Sequence, residues 1–170
     1  RAEYESIRAA NISMLEHFER SSAHAHEEIL HPSAPTKAME RGTATHCAIL
    51  EPMRFARDYA AAPKADRRTK EGKLRWAKFE AEHPGVTIIN ADDFIAVSRM
   101  RDAAWADPDA RGLLSGIGHN EVGIVLEHGE TGLVCKSLID RIGTFSGWTW
   151  VIDVKKTVDA SRYSFSKSIK

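Results

Sequence analysis

Apolar positions follow two rhythms along the chain. In residues 1–115 they recur three and four apart, the spacing of a helix with one buried stripe. Ser13 and Glu16 form a capping box ahead of Met14, Leu15 and Phe18, and Ser21 or Ser22 opens a second short helix running to Leu30. The segment His31-Pro-Ser-Ala-Pro35 ends it, and Thr36 caps a third helix that runs to Leu50 and stops before Pro52. A helix carrying Leu74, Trp76, Ala77 and Phe79 ends before Pro84-Gly85, and Val86–Ile89 is a short strand. Asp92 caps a helix through Phe94, Ile95, Val97 and Met100 to Trp105, and after Asp107-Pro108 a short helical turn reaches Leu114.

From residue 119 the rhythm changes to two. Glu121–His128 reads as a strand, His128–Gly132 as a hairpin turn, and Thr131–Ile142 as a second strand. Gly143–Gly147 is a turn, and Trp148–Thr157 is a third, more apolar run. The predicted class is α/β of the α+β kind: a helical N-terminal half and a mixed central sheet flanked by helices. One domain is expected, with 1–115 mainly helical, 119–157 carrying the strands, and 158–170 beginning another helix. A chain of 170 residues that is 42% hydrophobic suits one sizeable core.

Charge narrows the function only negatively. Lys plus Arg and Asp plus Glu both number 24, so any nucleic-acid contact has to come from a local basic groove. No apolar run reaches membrane-spanning length and no basic-then-apolar leader opens the sequence, so a soluble, cytoplasmic protein without membrane partners is expected. Cys47 and Cys135 are too far apart and too lightly accompanied to suggest a disulfide framework or a thiolate metal site. The sequence starts at Arg1 and stops at Lys170 inside a helix-like stretch, which leads us to expect a segment of a longer chain.

The chemistry concentrates near the end. Trp148–Thr157 carries Asp153 and Lys155 two residues apart, which on a strand share a face while Val154 points the other way. A carboxylate beside an ammonium suits phosphodiester hydrolysis: the first holds a divalent cation, the second neutralises charge on an attacking or departing oxygen. The neighbouring strand delivers Asp140 near its end, and Glu121 at the entry of the strand before it is either a third acid or a solvated strand end. Gly42 and His46 lie one turn apart on the third helix, where the missing side chain leaves room to approach an imidazole that is otherwise read as a core histidine. Arg67, Arg68, Lys70 and Lys73 form the densest basic patch; phosphate contact explains arginines at a helix start, and a solvated charged turn is the alternative. Gly116-Ile-Gly-His-Asn120 is not a phosphate loop, because no Lys-Ser/Thr follows and it leads into a strand.

Taken in order, Gly42-x-x-x-His46, Glu121, Leu138-Ile-Asp140-Arg-Ile142 and Val151-Ile-Asp153-Val-Lys155 resemble the PD-(D/E)XK nuclease superfamily in its RecB-like branch. The segments Arg41–Pro52, Arg67–Lys73 and Glu130–Lys136 look most like the RecE or exodeoxyribonuclease VIII type found in phages, and the likeness runs from Ser13 to the last residue. It implies a restriction-endonuclease-like core and a magnesium-dependent exonuclease, with manganese as a substitute. Such an enzyme degrades linear duplex DNA 5′ to 3′ and leaves 3′ overhangs for a RecT-like annealing partner, often as a ring-shaped homo-oligomer. Carried over by position, Asp140, Asp153, the Val154 carbonyl, His46 and Glu121 surround the metal, Lys155 assists the nucleophile, and Arg67, Arg68, Lys70, Lys73, Lys136 and Arg141 contact DNA. Two departures stand out: Lys156 occupies the place where the family often has threonine, and the sequence ends before the family's downstream Gln-x-x-x-Tyr helix. A catalytically inactive module that grips DNA ends is the alternative, and a scaffold in which Asp153 and Lys155 merely pair is a third.

Overall fold

The computed structural model describes residues 2–157, 159 and 161–168, and the chain is a mixed α/β protein. Its contacts divide into two compact units, each made from two separate stretches: Arg1–Glu40 with Ala106–Ile152, and Arg41–Trp105 with Asp153–Lys170. Where the sequence suggests one mixed central sheet, the described residues carry two sheets, a parallel pair and an antiparallel trio. Among the described residues no helix is long and apolar enough to cross a membrane.

The first unit is built on an antiparallel sheet of β3 (Gly118–Glu127), β4 (Val134–Phe145) and β5 (Trp148–Ile152), with β4 in the centre. The β4–β5 hairpin closes through Ser146 and Gly147 alone, at φ 51° and 78°, which is the doubly left-handed two-residue turn that matches strand twist. The predicted turn is therefore too long by three residues, because Gly143, Thr144 and Phe145 continue the ladder. The run around Trp148 is a strand only as far as Ile152, and Trp148 and Val151 on it are exposed.

Where β5 falls short, the N-terminal segment covers β4. Ala10 donates to the Val134 carbonyl and accepts from the Lys136 amide, at 2.9 and 2.7 Å. Helix α1 (Ala2–Ser6) precedes this contact, and α2 (Ile12–Arg20) and α3 (Ser22–Leu30) follow it. Asn11 caps α2 by accepting from the Met14 amide, so the cap lies two residues before the expected Ser13, while Ser21 caps α3 as expected. Helix α8 (Pro108–Ser115) lies against β4, so close at Gly112 that an added Cβ would meet the Phe145 ring.

The second unit holds a helical core. Helix α4 (Lys37–Leu50) contributes Ala44 and Ala48, α5 (Pro52–Asp58) contributes Phe55, and α7 (Ala91–Ala106) contributes Val97, all essentially without solvent contact. Phe55 stacks between Tyr59 and Phe94. Burying a Phe and a Val here contributes about 2 kcal/mol each. Asn90, not Asp92, caps α7. Two three-residue strands, β1 (Tyr59–Ala61) and β2 (Thr87–Ile89), pair in parallel, and α6 (Lys70–Glu82) is the connection between them. Near the end α9 (Arg162–Ser168) stands where a helix is expected.

Candidate functional site

Within the first unit the sheet register decides where the acids stand. Asn120 faces Arg141 and Val122 faces Ile139, with the count unbroken on both sides, so Glu121 and Asp140 occupy facing positions at the one pair the ladder skips. Glu121 has φ 51°, in the left-handed region that a side chain with a Cβ enters at a cost of about 1–2 kcal/mol. A strained, interrupted pair in the middle of an otherwise regular ladder is held by its surroundings, and such outliers concentrate at functional positions. Both residues are half-buried.

Arg141 has a different place from the one expected. It is 6% exposed, and its guanidinium donates to the Leu113 carbonyl, Asn120 Oδ1 and the Gly116 carbonyl at 3.2, 2.7 and 2.5 Å. A guanidinium that crosses from β4 to β3 and ties both to the end of α8 is structural. Lys136, on the same face as Asp140 by alternation, likewise turns inward and donates to the Tyr4 and Ile7 carbonyls at 3.0 and 2.8 Å. Each cation has protein acceptors.

In the second unit Asp153 and Lys155 sit just beyond the strand rather than on it, so ladder geometry is not what aligns them. They are aligned nonetheless. Burial alternates from exposed Asp153 through half-buried Val154 to exposed Lys155, and Lys155 Nζ lies 3.0 Å from Asp153 Oδ1. At 54% and 66% side-chain exposure this is a surface ion pair, worth at most about 1 kcal/mol and open to exchange. His46 lies half-buried on α4, and the space an added Cβ would fill at Gly42, one turn earlier, is open, so access toward that helix face is real. Among the described residues no three His, Cys, Asp or Glu side chains gather to hold a metal. Glu121 and Asp140 stand at facing backbone positions across β3 and β4.

The basic patch divides. Arg67 stacks over Trp76 at 3.5 Å and donates to Glu80 Oε1, while Arg68 grips Asp66 through its side chain and backbone. The Arg68 guanidinium, with the Arg68 amide, holds the Asp66 carboxyl below the usual carboxylate range. Loop anchoring thus explains the two arginines without DNA. Lys70 and Lys73 are exposed at the start of α6. If they contact phosphate, replacing both by Ala weakens duplex binding and flattens the log–log salt slope by about 2; fluorescence anisotropy at several salt concentrations checks this. An unchanged slope assigns them to solvated surface.

The residues that the sequence reading passed over are Lys64, Arg75 and Lys78, which line a groove beside α6. A cation repeating with Phe79 at helical spacing was the available signal. No family model matches the chain, and no curated protein matches it. The functional reading therefore rests on the resemblance that these residues carry, set beside their geometry.

Proposed function

We propose that the chain is a magnesium-dependent exodeoxyribonuclease with a restriction-endonuclease-like core, hydrolysing linear duplex DNA 5′ to 3′ and leaving 3′ single-stranded overhangs. The observation that carries this reading is the skipped pair of Glu121 and Asp140, two acidic residues at facing backbone positions with backbone strain at the first. The exposed Asp153–Lys155 pair supports it, because an acid and an ammonium with little else to do structurally are free to serve a substrate.

By the resemblance, Asp140, Asp153 and the Val154 carbonyl would be oxygen donors to magnesium, or to manganese in its place, with Glu121 assisting and His46 orienting water. The bound ion supplies Lewis acidity and a more acidic water. Lys155 Nζ places positive charge where the oxyanion develops, and Asp153 holds that ammonium in position. Together these groups must supply on the order of 20 kcal/mol of transition-state stabilisation, well beyond neutral hydrogen bonds alone. A single-strand annealing protein would take up the overhang, and a ring of identical subunits would enclose the duplex.

The test is linear duplex labelled separately at its 5′ and 3′ termini, incubated with and without magnesium. Early release of the 5′ label, only with metal, is expected; release of neither label removes the reading. Tight binding of ends without cleavage would favour an inactive end-binding module. For His46 the expectation is that His46→Ala lowers turnover about 100-fold while the thermal midpoint stays near wild type. A large fall in the midpoint with normal turnover would return His46 to a packing role.

A further inference from the structure

The second unit carries a groove that the nuclease reading does not use. Its volume is about 500 Å³, and Pro63, Lys64, Arg75, Lys78, Phe79 and Glu82 line it. Positions 75, 78, 79 and 82 follow the helical i, i+3, i+4, i+7 spacing and so share one face of α6. Pro63 and Lys64 belong to the loop after β1, and that loop is pinned. The Ala62 amide donates to the Ile89 carbonyl at 2.7 Å, and Trp76 Nε1 donates to the Ala65 carbonyl at 3.2 Å. Further on, Gly72 approaches the loop so closely that an added Cβ would lie 1.8 Å from the Asp66 carbonyl oxygen. The groove wall is therefore set by backbone contacts before any ligand arrives, which lowers the ordering cost of binding.

Three cations face one carboxylate here, in a chain whose formal net charge is zero. Glu82 stands 3.8 Å from Lys78 with both side chains more than half exposed, a contact too screened to neutralise the groove. Phe79 is half-buried and held from one side by the His83 ring at 4.1 Å between centroids. We infer that this groove binds single-stranded nucleic acid, with phosphates on Lys64, Arg75 and Lys78 and a base against Phe79. A cationic track interleaved with an aromatic ring is the means by which single strands are gripped without sequence preference. Duplex DNA keeps its bases stacked out of reach of such a ring, and an acidic peptide would engage the cations and leave the ring idle. The inference goes beyond the nuclease reading and stands without it, since it shares no residue with the proposed cleavage groups.

Binding of a fluorescein-labelled oligothymidylate, measured by anisotropy with EDTA present to silence cleavage, tests it. Three neutralised phosphates give a log–log salt slope of about −2. The Lys64→Ala/Arg75→Ala/Lys78→Ala variant should lose at least about tenfold in affinity and most of that slope. Phe79→Leu, which keeps an apolar helical side chain, should weaken binding about fivefold or more while leaving the slope unchanged. Glu82→Gln should tighten binding. Unaltered affinity in the triple variant, with its circular dichroism intact, overturns the inference; so does a Phe79→Leu protein that binds normally, or a poly-glutamate peptide that competes as well as the oligonucleotide. Because every arm is read without metal, failure here leaves the cleavage assay on end-labelled duplex untouched.

Discussion

Asp153→Ala is expected to reduce magnesium-dependent cleavage of linear duplex by at least about 1,000-fold, which corresponds to about 4 kcal/mol of lost transition-state stabilisation. The protein should remain folded. Asp153 is 54% exposed on its side chain, follows the last paired residue of β5, and has Lys155 as its ion partner, so removing it leaves no buried group without a partner. That exposure makes the experiment clean, because lost cleavage cannot be charged to lost structure. Asp153→Asn keeps the shape while discarding the negative charge, and it should be nearly as inactive if the carboxylate binds a cation. Both variants should bind duplex ends in EDTA as the wild type does. If Asp153→Ala cleaves normally in magnesium, Asp153 and Lys155 are a surface ion pair and the catalytic proposal falls with them.

Much of the scaffold for these residues is readable from the sequence, because it depends on period and on turn chemistry. The alternation from Val134 onward marks β4, and Ser-Gly at 146 and 147 suits the doubly left-handed turn that joins it to β5. Thr36 and Ser21 act as caps in the expected places. Asn11 and Asn90 were passed over because Ser, Asp and Asn cap almost equally well, so local preference does not choose between neighbours one or two residues apart. Strand β1 is three residues long, too short to show a period, and it exists only through its pairing with β2 across the intervening α6. The division into two units is hidden for the same reason, since each joins stretches distant in sequence.

The site was legible in part. That Glu121 stands opposite Asp140 follows from the register, which sequence does not supply, and the strain at Glu121 carries no sequence mark at all, as the residue is not glycine. The arginines also have partners within the chain. Asp66 two residues before Arg68, and Trp76 with Glu80 on the following helix, were the visible hints that Arg68 and Arg67 have intramolecular work. For Arg141 parity alone was informative. Adjacent residues on a strand point to opposite faces, so an arginine next to an acid that serves a solvent-borne ion points away from that ion.

Arg141 carries the second large expectation: Arg141→Ala should destabilise the protein by about 3 kcal/mol, or about 6–12 °C in thermal midpoint for a chain of this size. Truncation takes the guanidinium, on a residue only 6% exposed, from three acceptors, the carbonyls of Leu113 and Gly116 and Oδ1 of Asn120. A buried acceptor that loses its donor costs its desolvation energy, and the loss of charged-group hydrogen bonds adds to it. Arg141→Lys should recover little, since one ammonium cannot span three acceptors set around a planar fork. A double-mutant cycle with Asn120→Ala isolates the cross-strand part; a coupling above about 1 kcal/mol is expected for two groups in one network. DNA binding in EDTA separates this role from the one the sequence suggested. If Arg141 met phosphate, Arg141→Ala would leave the midpoint unchanged and flatten the salt slope. As a tie between β3, β4 and the end of α8 it does the reverse, and cleavage should fall too, because the Asn120–Arg141 bond borders the strained Glu121–Asp140 pair and limits how far those strands can relax.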